Sequence, residues 1–339
     1  MSRAFAVTAV IPARDGLPDV LASVESALAQ TLAPAEVVLV DDASRDGTGA
    51  AVEERFGRDP RAAVRVLHGR FGSAAAARNA GWRAATAPWI ALLDADDVWE
   101  PEKLERAAEV LGRAPQAVWF FSDGSFRTVE GEVHPSWLAI YADVPEGYVG
   151  SPVAELFDVN FVLTSSVLVR RYALESAGGF DETLSHAEDL DLWIRLAQRW
   201  PAAVSPRALV RYQHREGGLS GQLERRLLGD VVLFGRFIAN AALPGGLRRR
   251  ALHRRALARY KLAVAALREG DRVAARRYLN GAWLFPERAL PVALAYLVSL
   301  LPEPWLAELR RRGWATRAVG SRLVGYRRVR LRGTTGDGA

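Results

Sequence analysis

WIALLDADDVWEP, residues 89–101, joins an apolar run to three acids in four positions, Asp94, Asp96 and Asp97. A short run rich in Trp, Ile and Leu that stops at charged residues predicts a buried strand that ends there. Carboxylates this close together repel one another, and a cation held between them would offset the repulsion. The stretch therefore predicts a strand end that binds a cation.

A helix cap is the alternative explanation for one of these acids. Asp96 or Asp97 could accept a hydrogen bond from the first turn of the helix that follows. Capping accounts for a single acid and not for three. We therefore assign the cap to Asp97.

Short apolar runs alternate with amphipathic stretches through the first 120 residues. Further buried strands are predicted at AVTAVI (6–11), EVVLVD (36–41), AVRVL (63–67) and AVWFF (117–121). Between them, residues 18–30 and 101–113 carry apolar side chains on one helical face. This alternation predicts an α/β fold, with a mostly parallel sheet flanked by helices.

The carboxyl ends of parallel strands lie along one edge of the sheet, and ligands of open α/β sheets bind there. Acids follow several of the predicted strands. Those expected to meet at this edge are Asp15, Asp41, Asp42, Asp94 and Asp96.

The pattern is less regular after about residue 122. SSVLVR (165–170) predicts a strand, and AEDLDLWIRLAQRW (187–200) predicts an amphipathic helix. Beyond residue 220 the chain is helical and rich in Arg, with two helices joined around Gly270. The predicted divisions are an α/β domain over residues 1–220, a basic helical extension over 221–330 and a disordered tail over 331–339.

Charge divides the chain in the same place. Residues 1–220 hold 21 Lys and Arg against 31 Asp and Glu, a net charge of −10, whereas residues 221–339 hold 24 against 8, a net charge of +16. The basic part predicts either contact with an anionic membrane or a packed helical subdomain with a solvated basic face, and both remain open. No nucleic-acid motif accompanies the charge, so nucleic acid is not an expected partner.

The chain contains no cysteine. Disulfides, thiolate metal sites and cysteine nucleophiles are therefore excluded, and the composition fits a reducing compartment. The N-terminus has no pattern of a secretion signal. The longest apolar stretch, ALPVALAYLVSLLPEPW (289–305), is interrupted by Pro291 and Pro302, so no membrane-spanning helix is predicted.

Five motifs occur in order along the chain: VIPARDG (10–16), VLVDDASRDGT (38–48), AARNAGW (76–82), DAD (94–96) and GGFDETLSHAEDLDLWIRLA (178–197). Together they resemble the family-2 glycosyltransferases of the GT-A fold. The resemblance covers about the first 215 residues, and it implies an inverting enzyme that uses a nucleotide-sugar donor and a divalent cation. Hard oxygen ligands favour Mg²⁺ or Mn²⁺ over zinc.

The resemblance also implies roles for the acids of the donor site. Asp96 would ligate the cation, Asp94 would contact the ribose or a metal-bound water, and Asp42 would accept a hydrogen bond from a uracil-type base, which favours a UDP-sugar. The alternative for Asp42 is a turn in which Ser44 or Asp46 starts the next helix. The residues implied in donor binding are Pro12, Ala13, Arg14, Asp15, Asp42, Arg78, Asp94 and Ala95.

Two arginines of this set have their own alternatives. The family commonly carries an aromatic residue and Asn where this chain has Arg14 and Asp15, and a planar guanidinium can stack on a base in place of the ring. Arg78 would face the nucleotide from a helix, or it would be a solvated arginine on a helix face.

The catalytic acid is implied in AEDLDLW. Asp189 would be the general base that removes the proton from the acceptor hydroxyl, because a hydroxyl is a poor nucleophile by itself. Glu188 would orient the acceptor or Asp189, and Asp191 is the rival base. Acids on the wet face of a helix are the alternative.

RYQHREGGLS (211–220) follows where related enzymes close over the diphosphate. His214 would ligate the metal, and Arg211 or Arg215 would pair with a phosphate, unless these side chains are structural or solvated. Gly217 and Gly218 predict a loop that closes on the donor and excludes water.

The acceptor is expected to be a saccharide, a lipid-linked molecule or another hydroxyl compound. Trp137, Tyr141 and Tyr148 could stack on a sugar ring or pack in the core. The implied setting is the cytoplasm, at the inner face of the plasma membrane. A catalytically inactive nucleotide-sugar binding or scaffold protein is one alternative. A sugar nucleotidyltransferase is another, although the expected Gly-rich loop does not follow the first strand.

Overall fold

The structure is a computed structural model of the chain that describes residues 5–127, 131–213, 223–282, 289–312 and 328–332. It contains two compact units. The first comprises Met1–Leu156, Asn160–Glu216 and Arg328–Ala339, and the second comprises Phe157–Val159 and Gly217–Arg327. The predicted boundary at residue 220 lies in 214–222, outside the described residues, as do residues 333–339 of the predicted tail.

The strands of the described residues are β1 (Val7–Ala13), β2 (Glu36–Asp42), β3 (Ala63–Gly69), β4 (Trp89–Leu92), β5 (Val98–Trp99), β6 (Trp119–Arg127), β7 (Val133–His134), β8 (Ala142–Asp143), β9 (Val149–Gly150), β10 (Leu168–Arg170), β11 (Ala202–Gln213) and β12 (Val329–Arg330).

The helices are α1 (Asp19–Leu28), α2 (Thr48–Phe56), α3 (Ala74–Ala84), α4 (Lys103–Arg113), α5 (Leu138–Tyr141), α6 (Val153–Asp158), α7 (Arg171–Ala177), α8 (Glu188–Ala197), α9 (Leu223–Ala239), α10 (Gly245–Glu269), α11 (Arg272–Leu279), α12 (Ala289–Leu300) and α13 (Glu303–Arg311). One 3₁₀ turn lies at Thr164–Ser166.

The main sheet has the strand order β3-β2-β1-β4-β10-β6-β11-β5, with β7 beside β6 and β9 beside β11. β3, β2, β1 and β4 are parallel, and so are β6 and β11, whereas β10 runs antiparallel between β4 and β6. The predicted fold class, a mostly parallel sheet flanked by helices with a helical region at the C-terminal side, is confirmed. Because β10 runs antiparallel to both β4 and β6, these two strands point in the same direction, and the carboxyl ends of the two parallel groups lie at the same edge of the sheet.

Burial follows the predicted periodicities. β2 is buried at every position, as expected for a central parallel strand. On α1, Val20, Val24, Ala27 and Leu28 form the buried face. α3 packs very closely on the sheet, since a Cβ added at Gly81 would lie 2.3 Å from Cγ1 of Val10. Only glycine permits this close approach of α3 to β1.

Several local expectations were wrong in detail. The predicted strand at 165–170 is shorter, because residues 164–166 form a 3₁₀ turn and only Leu168–Arg170 is a strand. Asp97 does not cap a helix: the residue before α4 is Glu102, and no side chain caps that helix. Neither Ser44 nor Asp46 is the N-cap of α2, which is Gly47.

The second unit contains α9 to α13. Its core includes Ala263, Val264 and Leu267 of α10 packed with Leu279 of α11 and Val292 of α12. A buried ion pair joins Arg254 Nε to Asp230 Oδ2 at 2.8 Å. α10 ends at Gly270, whose φ of 87° is the left-handed conformation that glycine adopts readily, as the predicted helix junction required. Of the helices that the structure describes, none is long and apolar enough to cross a membrane.

Residues 328–332 belong to the first unit, although the sequence placed residues 328–330 at the end of the helical extension. β12 pairs in parallel with β8, with Val329 opposite Ala142. Val329 and Leu331 are buried there.

Lys103 is buried in the first unit without a hydrogen-bond partner for its Nζ atom, which lies 4.5 Å from the ring centre of Trp99. Burial lowers the pKa of Lys103 well below its ordinary value. Unfolding therefore takes up a proton, so Lys103 weakens the fold increasingly as pH falls below the ordinary lysine pKa.

Lys103→Met is expected to raise the free energy of unfolding by about 1–3 kcal/mol at neutral pH, since it removes an unsatisfied buried amine. Urea denaturation at pH 7 and pH 9 measures this, and the gain is expected to be smaller at pH 9. Lys261→Met, at the only other lysine of the chain, is the control. A destabilised Lys103→Met protein would contradict the prediction.

Candidate active site

The loops after β1 and β2 are tied together by hydrogen bonds. The Arg45 N–H donates to Asp15 Oδ1 at 2.7 Å, the Asp15 N–H donates to Ser44 Oγ at 3.0 Å, and the Gly16 N–H donates to Thr48 Oγ1 at 2.9 Å. Asp15 has a φ of 50°, an unusual backbone conformation for a residue other than glycine. Asp15 therefore shapes the loop that begins at Pro12 and Ala13, the last two residues of β1.

Asp42, the last residue of β2, is buried and fixes the loop before α3. Its carboxylate accepts hydrogen bonds from the N–H groups of Phe71 at 2.5 Å and Gly72 at 2.9 Å. The exposed guanidinium of Arg14 lies 4.0 Å away. The two residues assigned to the nucleotide base are therefore neighbours. Asp41 turns aside, accepting from the Ser44 N–H and lying 3.3 Å from His68.

The acids after β4 are held by a residue that the sequence did not single out. Ser165 Oγ accepts a hydrogen bond from the Asp94 N–H at 3.0 Å and donates to Asp97 Oδ2 at 2.5 Å. The other Asp97 oxygen accepts from the Gln213 N–H at 3.1 Å. Burial, together with the charges of Asp94 and Asp96, raises the pKa of Asp97. Asp97 thus joins three segments inside the fold, which is the physical reason that it does not cap α4.

Asp96 is the acid of this group whose carboxyl is not engaged by another described side chain. Burial raises the pKa of Asp96 to about 6, with a further contribution from the charge of Asp94. Within the described ranges, no three His, Asp or Glu side chains are grouped to hold a metal ion.

Arg78 links the acids after β4 to the start of α8. It is buried, and its Nη2 atom donates to Asp94 Oδ1 at 2.7 Å while Nη1 donates to Glu188 Oε1 at 2.9 Å. Burial lowers the pKa of Arg78, but the charges of Asp94 and Glu188 outweigh burial and raise it. The alternative of a solvated arginine is therefore wrong.

Asp189 is half-buried beside this pair. Its Oδ1 atom accepts from the Leu190 N–H at 2.7 Å, and Oδ2 accepts from Asn160 Nδ2 at 3.1 Å. Burial raises the pKa of Asp189 to about 6, and the charge of Glu188 acts in the same direction. The helix is entered through Ala187, whose φ of 65° is uncommon for a residue with a side chain. Such strain is found at functional sites.

Asp191, two residues after Asp189 on α8, has a different environment. It forms an ion pair with Arg195, with 2.6 Å between Oδ2 and Nη2, and Arg195 also donates to the carbonyl oxygens of Ala177 and Gly179. Asp191 therefore fastens α8 to the segment before it. Of the acids of α8, Asp191 is buried and the half-buried Asp189 is held by Asn160, so neither is a fully solvated acid on a helix face.

The remaining candidates are only partly described. Arg211 lies on β11 with its Nε atom 3.1 Å from Glu100 Oε1. Ala95 is half-buried between Asp94 and Asp96. His214, Arg215 and the Gly217–Gly218 pair lie outside the described residues.

The aromatic residues considered for the acceptor divide into two kinds. Tyr148 is buried and packs in the core. Trp137 and Tyr141 are half-buried, with ring centres 4.9 Å apart, and Trp137 Nε1 donates to the Phe161 carbonyl at 3.0 Å. Phe161 follows Asn160 in the chain, so Trp137 is anchored next to the segment that holds Asp189.

Ser165 and Asn160 are hard to identify from the sequence alone. Asn160 stands between the apolar residues Val159 and Phe161. A lone amide in such a run indicates a buried polar contact, because an unpaired amide is costly to bury. Nothing in the sequence distinguishes Ser165 from an ordinary turn serine.

Comparison with known proteins adds independent information. Residues 8–174 match the family described as "Glycosyl transferase family 2". A relative from Rhizobium meliloti, "Succinoglycan biosynthesis protein ExoO", is 31% identical over 256 residues, covering 74% of this chain and 72% of the relative. The "Pre-mycofactocin glycosyltransferase" of Mycobacterium tuberculosis is 32% identical over 213 residues, which is 62% of this chain and 43% of that protein.

Solved structures share the fold at low sequence identity. The S. aureus TarS 1-349 structure in complex with UDP-GlcNAc has a TM-score of 0.62 at 18% identity, covering 91% of this chain and 92% of that one. The mannosyltransferase PcManGT from Pyrobaculum calidifontis, in complex with GDP-Man and Mn²⁺, has a TM-score of 0.58 at 21% identity, covering 92% and 85%. These likenesses agree with the GT-A type of fold that the sequence predicted.

Proposed function

We propose a reaction for this chain, which belongs to glycosyltransferase family 2 and is an enzyme that transfers sugars. The enzyme moves the sugar of a nucleotide-diphosphate sugar to a hydroxyl acceptor and inverts the configuration at the anomeric carbon. The observation that carries this proposal is the bridge from Asp94 through the buried Arg78 to Glu188. Because Asp189 adjoins Glu188, this bridge supports the proposal that the acids of the donor side and the candidate base belong to one site.

Asp189 is the proposed general base. Its raised pKa of about 6 leaves it ionised at neutral pH yet makes it a stronger base than an exposed aspartate. The acceptor hydroxyl gives its proton to Asp189 while its oxygen bonds to the anomeric carbon, and the bond to the diphosphate breaks on the opposite face. Asn160 holds the base in position, and the Asp191–Arg195 ion pair favours Asp189 over Asp191 for this role. Glu188, which binds Arg78, is proposed to orient the acceptor or Asp189.

The nucleotide is proposed to lie over Asp42 and Arg14. A carboxylate has about four lone-pair sites, so Asp42 can accept a base N–H in addition to its backbone donors. Arg14 is free to stack on the base because its side chain is exposed. A UDP-sugar remains our proposed donor, with Pro12, Ala13, Asp15, Arg78, Asp94 and Ala95 forming the rest of the pocket.

A divalent cation, Mn²⁺ or Mg²⁺, fits the chemistry of Asp96. Burying this carboxyl next to Asp94 raises its pKa, and a bound cation would offset that cost. Mg²⁺ is commonly held by one or two carboxylates plus substrate phosphates, so few protein ligands suffice. When bound, the cation supplies Lewis-acid stabilisation of the leaving diphosphate. His214 is a further proposed ligand, and Arg211 and Arg215 are proposed phosphate contacts.

The acceptor is proposed to be a saccharide, a lipid-linked molecule or another hydroxyl compound in the synthesis of a polysaccharide or glycoconjugate. The relative named for succinoglycan biosynthesis supports this class of product. Trp137 and Tyr141 are the proposed contacts for a sugar ring. The proposed setting is the cytoplasm, since the net charge of +16 over residues 221–339 suits the anionic cytoplasmic leaflet.

Asp96→Asn is expected to weaken donor binding by about tenfold or more in the presence of Mn²⁺, because the amide neutralises the proposed cation ligand. Calorimetric titration with UDP-, GDP- and dTDP-sugars, each with and without Mn²⁺, measures this. Asp143→Asn, at an exposed position of β8, is the matched control and should bind normally.

Two other results would be decisive. If no nucleotide sugar bound the wild-type protein under any metal condition, the proposed function would be wrong. Donor binding without release of nucleoside diphosphate, for any acceptor supplied, would instead favour the inactive binding or scaffold protein.

A further inference from the structure

α12 carries leucine side chains on its outward face. Leu294, Leu297 and Leu300 are exposed by 50%, 60% and 53%, and Trp305 at the start of α13 is exposed by 68%. The inward face of α12 packs Val292 and Ala295 against α10 and α11. No residue of α12 is charged. A helix on a protein surface normally turns polar side chains outward. The outward face of α12 is apolar instead.

Over the residues that the structure describes, α12 is too short to span a bilayer. Its 12 residues rise about 18 Å at 1.5 Å per residue, whereas the hydrocarbon core of a bilayer is about 30 Å thick. An apolar helix of this length can lie along a membrane interface with one face in the acyl region.

The same unit carries positive charge that its own acids do not neutralise. Within the part of the chain that the structure describes, Arg255, Arg259, Arg276 and Arg277 form no ion pair with a carboxylate, and the Nε atoms of Arg255 and Arg276 are buried without an acceptor. Burial, with the charges of Arg255 and Arg277, lowers the pKa of Arg259. These positive charges therefore lie close together and repel one another. An anionic surface would reduce this repulsion.

We propose that the helical unit docks on an anionic membrane surface with α12 lying in the plane of the interface. Leu294, Leu297 and Leu300 enter the boundary between headgroups and acyl chains, and Trp305 lies at the headgroup level, where tryptophan is favoured. The arginines supply long-range attraction to lipid phosphates. This docking does not depend on the proposed reaction.

The charge argues for lipid over a second copy of this chain as the occupant of the face. Two copies would bring together two regions that each carry a net charge of +16 over residues 221–339, and like charges across an interface oppose association. An anionic bilayer supplies the opposite charge and an apolar interior at the same surface.

Vesicle sedimentation with the full-length protein tests the docking. Wild type is expected to bind vesicles of phosphatidylcholine with one third phosphatidylglycerol, to bind pure phosphatidylcholine weakly, and to lose binding in high salt. In the double variant Leu294→Glu and Leu297→Glu, the affinity for anionic vesicles should fall by about tenfold or more. The control is Val133→Glu with Tyr172→Glu, which adds the same charge at exposed apolar positions of the first unit and should bind like wild type.

Site-specific labelling provides a second readout if the double variant unfolds. Because the chain has no cysteine, Leu297→Cys accepts a single environment-sensitive fluorophore, with Val133→Cys as its control. Anionic vesicles should shift the emission to the blue only in Leu297→Cys. Equal vesicle binding by wild type and a folded α12 variant would overturn the proposal. So would a concentration-dependent dimer in light scattering that the α12 substitutions abolish, since a second copy would then cover the face.

Discussion

Asp189→Asn is expected to lower kcat by about 10²–10⁴-fold, the range that a positioned general base contributes. Asparagine keeps the size of the side chain and can still pack beside Asn160, but it cannot take up the proton of the acceptor hydroxyl. Affinity for the nucleotide-sugar donor should stay within about twofold, because the donor is assigned to other residues. Initial rates of nucleoside diphosphate release, together with donor titration, measure both quantities.

The pH dependence should change with the same substitution. The pKa of Asp189 is raised to about 6 in the folded protein, so the base is protonated below that pH and ionised above it. Activity of the wild-type enzyme should therefore rise with pH through about 6 and then level off. The Asn variant should lack this contribution of the base to its profile.

Asp191→Asn separates the base from its rival two residues away. Asp191 is paired with Arg195, so its loss should weaken the attachment of α8 and lower thermal stability while leaving most of the activity of the folded enzyme. If Asp191→Asn abolished turnover without affecting folding and Asp189→Asn did not, the two assignments would be exchanged.

Arg78→Met is expected to destabilise the fold by about 3–5 kcal/mol, since removing one partner of a buried ion pair leaves uncompensated charge. Here both Asp94 and Glu188 lose their hydrogen-bonded cation. Loss of that charge should also raise the pKa of Asp189 and move the acid limb of the activity profile to higher pH. Denaturant unfolding and the pH profile measure the two effects.

Arg83→Met is the matched control on the same helix. Arg83 is exposed by 55% and lies 3.6 Å from Glu182, so its loss should cost about 1 kcal/mol or less. Arg78→Lys serves if the Met variant does not fold, because lysine keeps the charge but cannot place two donors as guanidinium does. If Arg78→Met had the same free energy of unfolding as wild type, the bridge from Asp94 through Arg78 to Glu188 would not be formed.

The local elements were largely predictable because they depend on neighbours in the chain. Apolar runs marked β1, β2 and β3 to within about two residues, within the normal uncertainty of element boundaries. On α8, Leu190, Trp193, Ile194 and Ala197 are buried, as the helical period of the sequence predicts. Asp191, Leu192 and Leu196 are buried as well, so burial extends beyond that one face. The strand at 165–170 was placed too early, since its first residues form the 3₁₀ turn that carries Ser165.

The contacts within the candidate site were not predictable in this way. The sequence placed Arg78 near the nucleotide, and the structure gives it two carboxylate partners. Asp97 was assigned to a helix cap, and it instead accepts hydrogen bonds from Ser165 and from the Gln213 N–H. Each of these contacts joins residues far apart in the chain, and no periodicity relates them.

The sequence by itself determined which residues end the strands and which faces of the helices are buried, because alternation and the helical repeat act over a few neighbouring residues. Only the tertiary structure decided that Asp94, Arg78 and Glu188 form one bridge and that Asn160 holds Asp189. The physical reason is the order of the strands: β10 runs antiparallel between β4 and β6, and this long-range pairing carries Ser165 and the segment before it to the edge where the acids meet.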